Sequence, residues 1–206
     1  MLTTVVIPTF KNHESLWRAV HLLEEHTDSE YELLIIDQGF ARGYVAAANQ
    51  GLRAATGDLL VVLTDDCLPQ PGWLSPMVKA AQEGVWLMGP DWRAARLGGH
   101  CLGLTRECWV ATGGFDGRFR HYCADHDLEL RVTDHGKPVR QVTDSHVTHD
   151  TDGEARIYNR VSRHTGNWRE LPNVGQWYLD DMQTYTEIWG GRVPHELPGY
   201  KDGWCE

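Results

Sequence analysis

The stretch Leu59-Leu60-Val61-Val62-Leu63-Thr64-Asp65-Asp66 decides the fold, because a strand-length run of apolar residues leads directly into two carboxylates. A near-continuous apolar run of this length is typical of a buried parallel strand. Similar runs occur at Leu2–Ile7, Tyr31–Ile36 and Val85–Met88. The first half of the chain therefore predicts several buried strands of one sheet.

Helical patterns alternate with these runs. Ser15–Glu25 places its apolar residues on one face, and Tyr44–Thr56 is rich in alanine and stops at Gly57. The resulting βαβαβ order predicts an α/β fold with a mainly parallel sheet flanked by helices. In such sheets ligands bind beyond the carboxyl ends of the strands.

Polar residues follow three of the predicted strands, at Pro8-Thr9-Phe10, Asp37-Gln38-Gly39 and Thr64-Asp65-Asp66. The topology should bring them to one edge of the sheet, where carboxylate oxygens suit Mg²⁺ or Mn²⁺. Two adjacent aspartates by themselves more often begin a turn. Here the stretch Cys67–Leu74, which contains Pro and Gly, predicts a rigid turn directly after the two aspartates. Such a turn would leave both carboxylates exposed.

The second half is less regular. Its expected strands are Gly99–Leu104 and Val139–Val147, and its expected helices are Arg106–Ala111, Asp125–Asp134, Ala155–His164 and Tyr178–Trp189. At 206 residues the chain has the length of one domain. Most of its tryptophans are expected in the core, Trp17 and Trp86 among them. Trp73, Trp92, Trp168 and Trp177 are freer to meet a sugar ring.

Composition narrows the function classes. The formal net charge is -10, with no cluster of Lys or Arg, which disfavours nucleic acid and anionic membranes as partners. A phosphorylated substrate would therefore call for a bridging divalent cation. Five cysteines form an odd set without a Cys-x-x-Cys pair, which favours reduced thiols. With no apolar run of membrane-spanning length and no leader pattern at the start, we expect a cytoplasmic protein without a transmembrane segment.

Several common catalytic motifs do not occur in the sequence. It has no Walker A loop, no Gly-x-Gly-x-x-Gly after a strand, no Gly-x-Ser-x-Gly and no His-Glu-x-x-His. Kinase-like, NAD-linked, hydrolase and zincin functions thus have no motif to support them.

Six motifs, in order along roughly the first 150 residues, resemble those of family 2 glycosyltransferases with the GT-A fold. They are Val5–Phe10, Leu34–Asp37, Arg42–Asp58, Leu63–Pro69, Gly113–Asp116 and Asp125–Arg131. The resemblance implies one GT-A domain over residues 1–206. Within it, residues 1–98 would bind the nucleotide sugar, 99–150 would hold the acceptor and catalytic residues, and 151–206 would form a C-terminal helical segment.

The resemblance also implies an activity and a set of site residues. The activity is an inverting transfer from a nucleoside-diphosphate sugar, with UDP favoured, assisted by Mn²⁺ or Mg²⁺. The implied donor-binding residues are Pro8, Thr9, Phe10, Asp37, Arg42, Asn49 and Asp65.

Metal and base are implied in the same way. Asp66 would ligate the metal, and Asp125 would deprotonate the acceptor hydroxyl. The family often supplies a histidine ligand after the strand that ends here at His146 to His149. Residues three apart on a strand face opposite ways, so at most one of the two should reach the site. His149 is preferred over the alternative His146, because the polar stretch 150–153 after it is expected to form a loop over the donor. Asp127 is expected to pair with Arg131 on one helix face.

The sequence departs from the family pattern at four positions: Thr64, Gln38, Phe40 and Ala124 stand where acids or a serine are common. These departures keep a non-catalytic sugar- or nucleotide-binding module open as an alternative. A nucleotidyltransferase is a second alternative, although Pro8–Asn12 lacks its Gly-rich basic loop. The acceptor stays undetermined among a glycan, a lipid-linked group, a small molecule and a modified nucleobase, and the oligomeric state is undetermined too.

Overall fold

The computed structural model describes residues 1–38, 42–91, 97–149 and 174–193. Its strands are β1 (Thr3–Thr9), β2 (Tyr31–Asp37), β3 (Leu59–Leu63), β4 (Cys67–Pro69), β5 (Leu87–Asp91), β6 (Cys101–Thr105) and β7 (Val139–His149). Its helices are α1 (His13–His26), α2 (Tyr44–Ala54), α3 (Leu74–Gln82), α4 (Arg106–Thr112), α5 (Ala124–Asp134) and α6 (Val174–Trp189). No helix in these ranges is long and apolar enough to cross a bilayer.

The strands form one mixed sheet in the order β2-β1-β3-β6-β5-β7-β4. β1 pairs in parallel with β2 and β3, and β5 pairs in parallel with β7. β6 runs antiparallel between β3 and β5, and β4 runs antiparallel to β7. Five of the seven strands thus point the same way, and the predicted α/β class with a mainly parallel sheet is confirmed.

The core has two layers, one on each face of the sheet. On one face Val5 and Ile7 of β1 pack with side chains of α1 and α3. On the other face Val6 packs with α2, α5 and part of α6. Successive residues of a strand face opposite layers, which is why β3 is apolar at every position.

Helix α2 approaches the sheet at a glycine. A Cβ atom added to Gly51 would lie 2.1 Å from Cγ1 of Val6, so a side chain there would push the helix off β1. The close approach fixes α2 over the strand whose end carries Thr9.

Two elements were not expected from the sequence. The turn predicted after Asp66 contains the short strand β4, and α3 follows it. β4 is only three residues long, and its pairing with β7 is a long-range contact that no local pattern reveals. The helix expected at Ala155–His164 lies outside the described residues.

The tryptophan expectations were partly wrong. Trp17 is 62% exposed although it lies on an amphipathic helix, because the apolar face of α1 is formed by Leu16, Val20 and Leu23 instead. Trp73 and Trp177, expected to be freer, are buried. They therefore contribute to packing.

The expected pair of Asp127 and Arg131 is confirmed. Arg131 Nε lies 2.8 Å from Oδ2 of Asp127, which is 1% exposed. The same guanidinium donates to the carbonyls of Thr112 and Gly114, and Trp189 Nε1 donates to the other Asp127 oxygen. This network ties the end of α4 and helix α6 to the base of α5.

Candidate active site

The site begins where β1 and β3 end side by side. Thr9 closes β1, and its Oγ1 donates a 2.6 Å hydrogen bond to Oδ2 of Asp65. Asn12 Nδ2 donates to the second Asp65 oxygen at 3.2 Å. Pro8 is buried inside β1, and Phe10 follows the strand half-buried. The strand-end rule thus places Thr9 and Asp65 in contact, as the topology predicted.

The pKa of Asp65 is raised above its ordinary value. Burial, together with the neighbouring Asp66 carboxylate, raises its pKa to about 7, although the bonds from Thr9 and Asn12 act in the opposite direction. Two carboxylates this close repel each other when both are ionised. A divalent cation would relieve that repulsion, so the residues present suit a metal.

Asp66 is held between two partners. Thr64 Oγ1 donates to its Oδ1 at 2.7 Å, and His149 Nε2 lies 3.3 Å from its Oδ2. Burial acts to raise the pKa of Asp66, but the hydrogen bond and charge of His149 outweigh it and keep the pKa below its usual value. Thr64, which stands where the family pattern has an acid, orients Asp66 through its hydroxyl.

The pairing of β4 with β7 explains how His149 reaches the site. It sets His149 opposite Cys67, directly after Asp66. His146, on the opposite face of β7, is exposed. The structure therefore brings His149 to Asp66 and leaves its alternative His146 on the surface.

Asp66, Cys67 and His149 offer ligand atoms within 4.8 Å of one another. Burial raises the pKa of the Cys67 thiol well above its usual value, and the thiol donates to the carbonyl of His100 at 3.4 Å. The remaining donors are a carboxylate and an imidazole, a set that Mn²⁺ accepts readily and Mg²⁺ less so.

A short loop before β6 connects this cluster to Asp125. The carbonyl of His100 accepts from Thr64 N at 2.8 Å, and its ring stacks on His149 with centroids 5.1 Å apart. Burial lowers the pKa of His100 to about 4, which keeps the imidazole neutral beside His149. The preceding residue, Gly99, donates its N–H to Asp125 Oδ2 at 2.9 Å.

Asp125 itself lies in the first turn of α5. His126 N donates to its other oxygen at 3.0 Å, so two backbone donors fix the carboxylate. Tyr44 OH donates to the Gly99 carbonyl at 2.7 Å and braces the loop from α2. Asp125 is thus a rigid carboxylate near the Asp66–His149 pair and outside it.

The other expected donor-binding residues are placed differently. Asp37 is exposed at the end of β2, with His13 Nε2 at 3.4 Å. Arg42 is exposed, and its backbone N–H donates to the side chain of Gln38. Asn49 lies apart from the strand ends, because its amide exchanges two hydrogen bonds with the backbone of Phe115. Phe40 is outside the described residues.

Three contributors were missed by sequence reasoning. His100 and Tyr44 act through contacts that depend on the packing of distant elements. Asp181 of α6, 1% exposed, accepts hydrogen bonds from the backbone N–H groups of three consecutive residues, 120 to 122. An aspartate in an amphipathic helix carries no local signal of such a role.

Solved structures share this architecture. A mannosyltransferase from Pyrobaculum calidifontis in complex with GDP-Man and Mn²⁺ matches over 93% of this chain and 65% of its own, with 15% identity and a TM-score of 0.66. A Drosophila β-1,4-galactosyltransferase 7 mutant in complex with manganese, UDP-Gal and xylobiose matches over 79% of this chain and 73% of its own, with 16% identity and a TM-score of 0.59. GalNAc-T7 with UDP, GalNAc and Mn²⁺ matches over 71% of this chain and 42% of its own, with 14% identity and a TM-score of 0.60. The fold is that of the GT-A glycosyltransferases.

A family model matches part of the sequence. The family described as glycosyl transferase family 2 matches residues 38–96, the segment that includes α2, β3 and both site aspartates. The resemblance to family 2 glycosyltransferases is therefore confirmed. No curated protein matches the chain. The chain spans 65% of the length of the Pyrobaculum enzyme.

Proposed function

We propose that this protein transfers a sugar from a nucleoside-diphosphate sugar to an acceptor hydroxyl, with inversion at the anomeric carbon. The observation that carries the proposal is the placement of Asp125. Its carboxylate accepts hydrogen bonds from the backbone N–H groups of Gly99 and His126. Gly99 directly precedes His100, whose ring stacks on His149 of the Asp66–His149 pair, and Asp125 is not itself part of that pair. A base and a metal site side by side are what a single displacement needs.

Asp66 and His149 would hold Mn²⁺, with Mg²⁺ as the harder alternative, and Asp65 would contact the donor. When bound, the metal supplies positive charge that stabilises the departing diphosphate. Support comes from the 3.3 Å distance between His149 Nε2 and Asp66 Oδ2 and from the neighbouring, partly buried carboxylates of Asp65 and Asp66. The three similar structures each contain manganese with a nucleotide or nucleotide sugar.

Asp125 would take the proton from the acceptor hydroxyl as its oxygen bonds to the anomeric carbon. The bond between that carbon and the diphosphate oxygen breaks in the same step, which inverts the configuration. Because two backbone donors fix Asp125, its carboxylate is already oriented and little reorganisation is needed on reaction.

The nucleotide is proposed as UDP. Two of the similar structures contain UDP or UDP-Gal, whereas the Pyrobaculum enzyme contains GDP-Man. Asp37 at the end of β2 is exposed and lies next in the sheet to Thr9, in reach of a nucleoside at this edge. The acceptor is taken up below.

The test is the thermal shift of the protein with UDP, GDP and dTDP, each with and without Mn²⁺. Binding at a hundredfold excess over Kd stabilises the folded state by about 2.7 kcal/mol. We expect a metal-dependent shift with UDP that Asp66→Ala abolishes. Asp144→Ala, which removes an exposed carboxylate of β7, is the matched control and should keep the shift.

A shift with none of the nucleotides would overturn the proposal. A metal-dependent shift without sugar transfer to any acceptor or to water would instead indicate a non-catalytic binding module of this fold. A shift confined to GDP would change the donor and leave the reaction class as proposed.

A further inference from the structure

The loop that leads into α5 is held by helix α6. Arg120 N donates to Asp181 Oδ1 at 2.9 Å, and His121 N and Tyr122 N donate to Oδ2 at 2.9 and 2.8 Å. Three converging N–H groups form a concave anion site of the kind called a nest, here filled by a buried carboxylate. The loop therefore has a fixed shape although it contains no regular structure.

We call the three hydrogen bonds to Asp181 the clamp. The loop that it holds presents a group of aromatic rings to solvent. The rings of Tyr122 and Tyr178 are perpendicular, at 86°, with centroids 5.2 Å apart. His121 packs edge-on against Tyr122 at 4.8 Å. Tyr178 is 43% exposed, Tyr122 is half-buried and the His121 side chain is exposed. We call these three residues the aromatic patch.

The aromatic patch is continuous with the catalytic site. Its His121 ring contacts the Tyr44 ring at 6.0 Å. Tyr44 OH bonds the carbonyl of Gly99, and the N–H of Gly99 bonds Asp125. Tyr44 and Gly99 thus link the patch to Asp125.

Core packing does not account for the patch. Buried tyrosines contribute to a core, but here Tyr178 lies on the outer side of α6 beside Leu179, which is 60% exposed. The buried face of α6 consists of Trp177, Asp181 and Tyr185. The ring of Tyr178 is therefore available to a ligand.

We propose that the aromatic patch is the acceptor subsite and that the acceptor is a saccharide; this rests on the proposed transferase function. The apolar C–H face of a pyranose packs on aromatic rings, while tyrosine and histidine supply polar groups for its hydroxyls. Perpendicular rings form a corner that contacts a sugar on two sides.

The experiment is saturation-transfer NMR on the protein with Mn²⁺ and UDP, using methyl β-D-glucopyranoside, methyl α-D-mannopyranoside and xylobiose as probes. We expect saturation of the ring C–H protons of at least one sugar. Tyr178→Ala should weaken the binding of that sugar about tenfold, the size of a lost aromatic contact. Tyr178→Phe keeps the ring face and should keep the signal.

Leu179→Ala is the control, since it removes an exposed apolar side chain next to Tyr178 without touching a ring. It should leave sugar binding unchanged. Equal binding by wild type and Tyr178→Ala would overturn the assignment of the patch. Saturation of none of the three sugars would overturn the saccharide class. The UDP thermal shift separates the two levels, because its persistence in either case leaves the transferase proposal standing.

Discussion

The two sides of the site are built by different means. The proposed donor side consists of Thr9, Asp65 and Asp66, which lie at the ends of neighbouring strands and meet because parallel strands end at one edge. The proposed acceptor side consists of Asp125 and the loop 120–122, which polar contacts from α2, the loop before β6 and α6 hold in place. Regular secondary structure positions the first, and individual hydrogen bonds position the second.

This contrast implies that the acceptor side is sensitive to single polar substitutions far from the chemistry, whereas the donor side is sensitive only at its ligands and at the groups that contact them. Four substitutions test it, in decreasing order of expected effect.

The largest effect is expected from Asp125→Asn. The amide keeps the shape but cannot take a proton, so sugar transfer should fall by about 10²–10⁴-fold, the usual contribution of a general base. Steady-state kinetics would measure the loss, and the UDP–Mn²⁺ thermal shift should be unchanged. A loss of nucleotide binding together with activity would show that the two sides are not separable.

Asp181→Asn is the next in size. Asparagine offers one acceptor oxygen to three N–H groups, so at least one is left unpaired in a buried place, and we expect a loss of about 3 kcal/mol in the free energy of unfolding. Urea denaturation would measure it. Asp180→Asn is the matched control, because Asp180 is exposed on the same helix and its side chain accepts only from the nearby Gln176 among the contacts described. A neutral result for Asp181→Asn would remove the clamp from the account of the acceptor side.

Gly43→Ala tests the docking of α2 on the loop. Gly43 has φ +95°, and an added Cβ would lie 2.5 Å from the Arg120 carbonyl oxygen. We expect a destabilisation of about 2 kcal/mol from backbone strain and the clash together. Gly84→Ala isolates the strain, since Gly84 has φ +89° and open space around it. Equal losses at both positions would mean that the loop gives way to the methyl group without cost.

The smallest effect is expected on the donor side, from Thr64→Val. The substitution keeps the shape and removes the 2.7 Å hydrogen bond to Asp66. Loss of a group that orients a metal ligand lowers metal affinity by about tenfold or somewhat more. Calorimetric titration with Mn²⁺ in the presence of UDP would measure it, with the exposed Thr148→Val as control. An unchanged affinity would mean that His149 alone orients Asp66.

The comparison also explains what could be predicted from the sequence. Apolar runs and alternating helices specified the strands β1, β2 and β3 and the edge where Thr9 and Asp65 meet, because these depend on local periodicity and a general rule of topology. Alternation of side chains along a strand limited the candidates to one of His146 and His149, and the polar stretch after His149 favoured that residue. The choice of Asp125 as the proposed base came from resemblance to a family.

The rest depended on contacts between distant residues. Nothing near Asn49 in the sequence shows that its amide bonds Phe115 instead of a ligand. β4 was missed because three residues are too few to show a period, and its partner is far along the chain. The roles of Asp181 and Tyr178 could not be predicted, because the sequence pattern of α6 does not fix the rotation of the helix about its own axis. That rotation depends on how α6 packs.

The clamp on the loop 120–122 has a consequence for folding during synthesis on the ribosome. The strands that end at Thr9, Asp37 and Leu63 are complete early in synthesis, whereas Asp181 is separated from Arg120 by 61 residues. Contacts across such a separation form late, because the entropy of closing the intervening chain must be met first. During synthesis the strands can therefore pair, and their carboxylates can meet, before Asp181 is present to hold the loop 120–122. A chain truncated shortly before residue 181 would have the donor side of the site and would lack the clamp on the acceptor side.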